Sequence, residues 1–111
     1  MAGDSGRERR RLKRVVQRVA AKFTCGALQS TGHIKTLSKG GLFMRTASLP
    51  PVGEIVQIII LTRSRQKIEV VGRVCWSTEQ LRSPGDQPGF AIEFTDASEE
   101  YREFFADLLF R

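Results

Sequence analysis

Between Lys67 and Ser77 the chain alternates with a period of two. Ile68, Val70, Gly72, Val74 and Trp76 fall on one parity, and Lys67, Glu69, Val71, Arg73 and Cys75 on the other. Successive side chains of a strand point to opposite faces, so this pattern specifies a strand with one buried face and argues against a helix. The same rule reads most of the chain. Val15, Gln17, Val19, Ala21, Phe23 and Cys25 share one parity, with Arg18, Lys22 and Thr24 on the other. Glu54 to Thr62 is rich in β-branched residues, and Phe90, Ile92 and Phe94 alternate near the end.

Breakers divide these runs. Gly26 to Gly32, with Ser30-Thr31-Gly32, carries turn chemistry, so the second strand is predicted over about His33 to Ser38. Lys39-Gly40-Gly41 ends it, and Leu42 to Thr46 forms a short third strand. Leu49-Pro50-Pro51-Val52-Gly53 is a loop, because two prolines cannot extend a ladder. Arg63-Ser64-Arg65-Gln66 is a hairpin tip, and Ser83 to Pro88 is a further loop.

The C-terminus changes period. Tyr101, Phe104, Phe105, Leu108 and Leu109 recur at helical spacing, with Ser98 as N-cap and Glu99 and Glu100 in the first turn. This stripe is expected to cover a core. Six short antiparallel strands and one helix, in a chain of 111 residues with room for one core, predict a small barrel. Side chains fill a barrel of this size, so any ligand binds outside it or at its mouth.

The charge is unevenly placed. Residues 1–22 carry eight cations and two acids, and so hold the whole net charge of +6. Residues 23–111 carry ten of each. A neutral body with a basic arm predicts an anionic partner: nucleic acid, a membrane surface or a phosphate-bearing small molecule. Leu12 is the only apolar residue between positions 5 and 14, which argues against a membrane-binding amphipathic arm. No apolar run follows the first residues as in a secretory signal, and none spans a bilayer as a helix, so the expected compartment is the cytoplasm.

Catalytic chemistry has little to stand on. The one histidine, His33, lies in a polar stretch, and neither a G-x-S-x-G elbow nor a Walker phosphate loop is present. Glu99 and Glu100 are explained by the helix start. Cys25, Cys75 and His33 are too few and too scattered for a zinc site, and the two cysteines are expected to be free thiols. The chain reads as a non-enzyme without metal or cofactor.

Two features remain: Arg10-Arg11-Leu12-Lys13-Arg14, directly before the first strand, and Thr36-Leu37-Ser38-Lys39-Gly40-Gly41, between the second and third. Together they resemble the PilZ domain, the bacterial receptor module for cyclic diguanylate (cyclic di-GMP). That family carries R-x-x-x-R leading into its barrel and [D/N]-x-S-x-x-G some two dozen residues later. Arg10 and Arg14 match the first motif; Ser38 and Gly41 match the second. The resemblance extends over residues 7–110. It includes Gly40 to Thr46, Gly72-Arg73-Val74-Cys75-Trp76 and Gly89-Phe90-Ala91-Ile92-Glu93-Phe94.

The resemblance implies an all-β, six-stranded antiparallel barrel with a C-terminal helix (about 97–110). Residues 1–14 would be a flexible basic arm and 15–111 the PilZ-like barrel with its helix. It implies a cyclic di-GMP site formed by Arg10, Arg14, Ser38 and Gly41, with Arg11 and Thr36 beside them. Guanidinium can fork onto phosphate oxygens or onto guanine O6 and N7, which lysine cannot reproduce. An arm that orders around its ligand makes binding a disorder-to-order switch.

Thr36 departs from the family pattern, which has Asp or Asn there. Threonine offers one hydroxyl on a stiff stem in place of a carboxylate or amide oxygen. Losing a hydrogen bond to a charged acceptor costs about 1.5–3 kcal/mol, roughly 10- to 150-fold in affinity. The resemblance implies a cytoplasmic receptor and adaptor that couples cyclic di-GMP to a downstream protein in motility, surface or biofilm regulation. The alternative is a degenerate PilZ-like interaction module with weak nucleotide binding or none. A small nucleic-acid-binding barrel ranks below both, because its aromatics read as core rather than as an exposed stacking track.

Overall fold

The computed structural model describes residues 15–78 and 87–109. Six strands form a closed antiparallel barrel: β1 (Val15–Cys25), β2 (Leu28–Leu37), β3 (Gly41–Arg45), β4 (Ile55–Leu61), β5 (Lys67–Ser77) and β6 (Gly89–Ala97). Their order around the wall is β1-β2-β3-β6-β5-β4, and β1 closes it by pairing with β4. Helix α1 (Glu99–Leu109) follows.

The inward parity of each strand builds the core. Val19, Ala21 and Phe23 face Ile34, Leu37, Leu42 and Met44 from β2 and β3, and Val56, Ile58, Ile60, Ile68, Val70, Val74, Phe90 and Ile92 complete the interior. Phe23 meets Phe90 edge-on with centroids 5.1 Å apart, the geometry that the ring quadrupole favours.

Helix α1 starts where the sequence places it. The Tyr101 N–H donates to Ser98 Oγ at 3.2 Å, the bond expected of an N-cap. Tyr101, Phe105 and Leu108 are buried over the barrel, Phe104 is half-buried and Leu109 stays exposed. The helix contacts fall chiefly on β5.

Two expectations are corrected. First, Ser30, Thr31 and Gly32 are not a turn; they lie inside β2, which starts at Leu28. The turn is only Gly26-Ala27, with positive φ (59°) at Gly26, the glycine-first pattern of a tight hairpin. Gly32 is required for another reason: a Cβ there would overlap the Arg45 carbonyl oxygen on β3.

Second, Trp76 does not follow Val74 into the core. The β5–β6 register slips between Val74 and Trp76, so Cys75 is an extra residue on β5. A bulge of this kind reverses parity. Trp76 turns outward at 41% exposure, and Ser77 takes the buried side.

The β2–β3 register also slips, between Ile34 and Thr36, with Lys35 as the extra residue. Ile34 and Leu37 therefore both point inward, and Thr36 lies half-buried in the wall. The Ser83–Pro88 loop lies outside the described residues except for Gln87 and Pro88.

Candidate functional site

The antiparallel topology brings one end of several strands together. β1 begins at Val15, whose register partner is Leu37, the residue before Ser38. The turn from Ser38 to Gly41, the hairpin tip around Arg63 and Ser64, and α1 share this end of the barrel. Arg10, Arg11 and Arg14 lie outside the described residues.

The turn is closed by its own atoms. The Ser38 N–H donates to the Gly41 carbonyl at 2.9 Å, and the Ser38 hydroxyl donates to the same oxygen at 3.0 Å. In return the Gly41 N–H donates to Ser38 Oγ at 3.1 Å. The hydroxyl proton is therefore engaged within the turn, and a ligand would meet only a lone pair. Serine at this position shapes the loop as much as it offers a contact. Gly41 is equally constrained, because a Cβ on it would overlap the Ile92 carbonyl oxygen on β6.

From this turn an open cleft of about 700 Å³ runs over the outer wall, across β2, β3, β6 and β5. It gathers Thr36, Ser38 and Gly41 with Phe43, Arg45 and Trp76. Phe43 and Trp76 stack with centroids 5.3 Å apart and planes 24° from parallel. Arg45 places its guanidinium carbon 5.1 Å from the Phe43 centroid and donates to the Gln87 carbonyl. Such an arrangement favours a flat π-system bearing negative charge, since rings stack on its faces and guanidinium binds its anionic groups.

Sequence reasoning missed Phe43, Arg45 and Trp76. Counting Trp76 inward was the error. The available signal was the tryptophan itself, a large ring beside Cys75 and Ser77 near the strand end. The aromatics are thus not all core, though a single stacked pair is not the series of platforms that single-stranded nucleic-acid binders use.

His33 is exposed on β2. Cys25 and Cys75 are free thiols; burial first, and Glu54 second, raise the pKa of Cys25. Among the described residues no cluster of His, Cys, Asp or Glu could hold a metal, and no helix is long and apolar enough to cross a membrane.

A six-stranded closed antiparallel barrel with a Ser-x-x-Gly turn at one end and a C-terminal helix over it defines the architecture of the chain. The PilZ domain family model matches residues 8–111, and the chain belongs to that family. Among solved structures it is similar to the Bacillus subtilis inhibitor of motility (MotI/DgrA), with TM-score 0.74 and 14% identity over 91% of this chain and 50% of that one. The chain thus spans about half the length of that relative. It is also similar to the PilZ domain of CeSA from a cellulose-synthesizing bacterium, with TM-score 0.60 and 18% identity over 88% of this chain and 95% of that one. None of the curated proteins matches the sequence.

Proposed function

We propose that this domain is a non-catalytic receptor for cyclic di-GMP that acts as a cytoplasmic adaptor. The observation that carries the reading is the cleft itself: Thr36, Ser38 and Gly41 open onto the Phe43–Trp76 stack and Arg45. A cyclic dinucleotide supplies the matching chemistry, two guanine faces and two phosphates. Family membership supports the ligand class. Arg14 is bonded directly to Val15, and Val15 pairs with Leu37, so chain continuity supports a contribution from Arg10 and Arg14 at this cleft. Residues 1–14 are then the ligand-wrapping arm and 15–111 the folded domain. Similarity to a motility inhibitor and to a domain from a cellulose-synthesizing bacterium supports a downstream protein partner in motility or surface-polymer control.

Calorimetric titration with cyclic di-GMP, with GTP and single-stranded DNA as controls, tests the reading. Arg14→Ala should weaken binding more than Arg7→Ala, although each removes one positive charge. Screened electrostatics alone would make the two equal, whereas a forked contact at a fixed position would not. Preference for single-stranded DNA would favour a nucleic-acid-binding barrel instead. Thr36, in place of the family Asp or Asn, favours a second reading, a degenerate module that binds a protein without nucleotide. No heat and no perturbation of Trp76 fluorescence at high micromolar ligand would select it.

A further inference from the structure

Outside the cleft, a side-chain hydrogen bond links the turn to the C-terminal helix. The Tyr101 hydroxyl donates to the Ser38 carbonyl oxygen at 2.6 Å, across 63 residues of sequence. Tyr101 is 1% exposed. Its ring is held on both sides, edge-on to Phe94 with centroids 4.8 Å apart and parallel to Phe105 at 6.1 Å. Its backbone N–H is capped by Ser98. Rotation of the phenol is therefore restricted, and its hydroxyl points at one acceptor.

The second attachment of the turn comes from the residue that packs against Tyr101. The Phe94 N–H donates to the Gly40 carbonyl at 2.8 Å. The turn is thus gripped at two carbonyls, Ser38 from the helix and Gly40 from β6. Its other hydrogen bonds are internal, between Ser38 and Gly41. The internal bonds close the turn, and the two external bonds fix its tilt relative to the barrel.

We propose that Tyr101 is a positioning residue of the ligand site: its hydroxyl sets the orientation in which residues 38–41 face the cleft, and so couples helix α1 to that site. The ligand-dependent part rests on the cyclic di-GMP reading; the effect on the turn does not. Coupling is reciprocal, so whatever fixes the turn also steadies the helix.

Tyr101→Phe in the full chain deletes only the hydroxyl and keeps the ring contacts. Phe105→Leu weakens the same helix packing but keeps the hydrogen bond. Hydrogen exchange without ligand should quicken about three- to tenfold at the Ser38 and Gly41 amides in Tyr101→Phe, the size expected for one hydrogen bond, and stay unchanged in Phe105→Leu. Cyclic di-GMP affinity, measured well below both melting temperatures, should fall by a similar factor in Tyr101→Phe only. Unchanged turn exchange in Tyr101→Phe overturns the proposal, and so do equal changes in both variants. If wild type binds no cyclic di-GMP while turn exchange responds as expected, the receptor reading fails and the positioning role stands.

Discussion

Phe43 and Trp76 stack across an intervening strand. Each is the register partner of Ala91 on β6, Phe43 from β3 and Trp76 from β5. The small Ala91 side chain leaves room for the two rings to close above it. The pairing depends on the bulge at Cys75; without it Trp76 would face the core, and the outer wall would lose its largest aromatic.

Trp76→Ala should therefore act on binding rather than on folding. The residue is 41% exposed, and its removal creates no internal cavity. Aromatic–base stacking contributes about 1–3 kcal/mol per base. Cyclic di-GMP affinity should drop about 5- to 150-fold in calorimetry, with the far-ultraviolet circular dichroism unchanged. Because Trp76 is the only tryptophan, wild-type indole fluorescence should also change on titration with ligand.

Thr36→Asp should tighten binding. Thr36 is half-buried in the wall of the cleft, where a carboxylate can stay hydrated. A new acceptor facing a guanine edge gains about 1–2 kcal/mol. Repulsion from ligand phosphates opposes this by about 1 kcal/mol or less at screened distances. Tighter binding that survives added salt is the expected result. Weaker binding relieved by salt would put residue 36 beside phosphate, and no change at either salt would take it out of the site.

Adjacent glycines of the turn should respond differently. A Cβ at Gly40 meets nothing within 4 Å, whereas one at Gly41 overlaps the Ile92 backbone. Gly40→Ala should change stability by about 0.5 kcal/mol or less, as exposed substitutions do. Gly41→Ala should destabilise by about 1–3 kcal/mol, because backbone must shift to admit the methyl. Urea unfolding of both variants measures the difference, and equal midpoints would contradict the close packing of β3 on β6.

Alkaline stability should depend on Tyr101. Burial pushes its phenol well above the ordinary tyrosine value of about 10. The folded state keeps the proton after the unfolded chain has released it. Stability is therefore fully present below pH 10 and declines above it, by up to about 1.4 kcal/mol per pH unit. Tyr101→Phe should remove this slope. Since Tyr101 is the only tyrosine, the near-ultraviolet tyrosinate band should appear only as the protein unfolds. A tyrosinate band near pH 10 in the folded protein would contradict the burial.

Strand identity was legible wherever inward and outward residues alternated without interruption, as from Lys67 to Val74. The facing of Trp76 was not, because one inserted residue, Cys75, reversed the count, and a bulge leaves the local composition of a strand unchanged. Gly32 misled for a related reason. Glycine signals a turn in sequence, but this one admits the neighbouring Arg45 carbonyl. Of the cleft, Thr36, Ser38 and Gly41 were readable as a spaced motif. Phe43, Arg45 and Trp76 were not, since their grouping exists only after three strands are set in register.

Because each of the six strands has a neighbour on both sides, the described sheet closes on itself, and one-sided pairing is confined to strand ends such as Leu28–Ser30 of β2, which lie beyond the reach of β3. Closure disfavours recruitment of a partner by an added strand, and growth of copies of the domain into one another by the same route. Recognition is left to side chains on the outer wall and on the exposed face of the helix. Partner choice can then diverge by surface substitution while the hydrogen-bonded frame stays fixed.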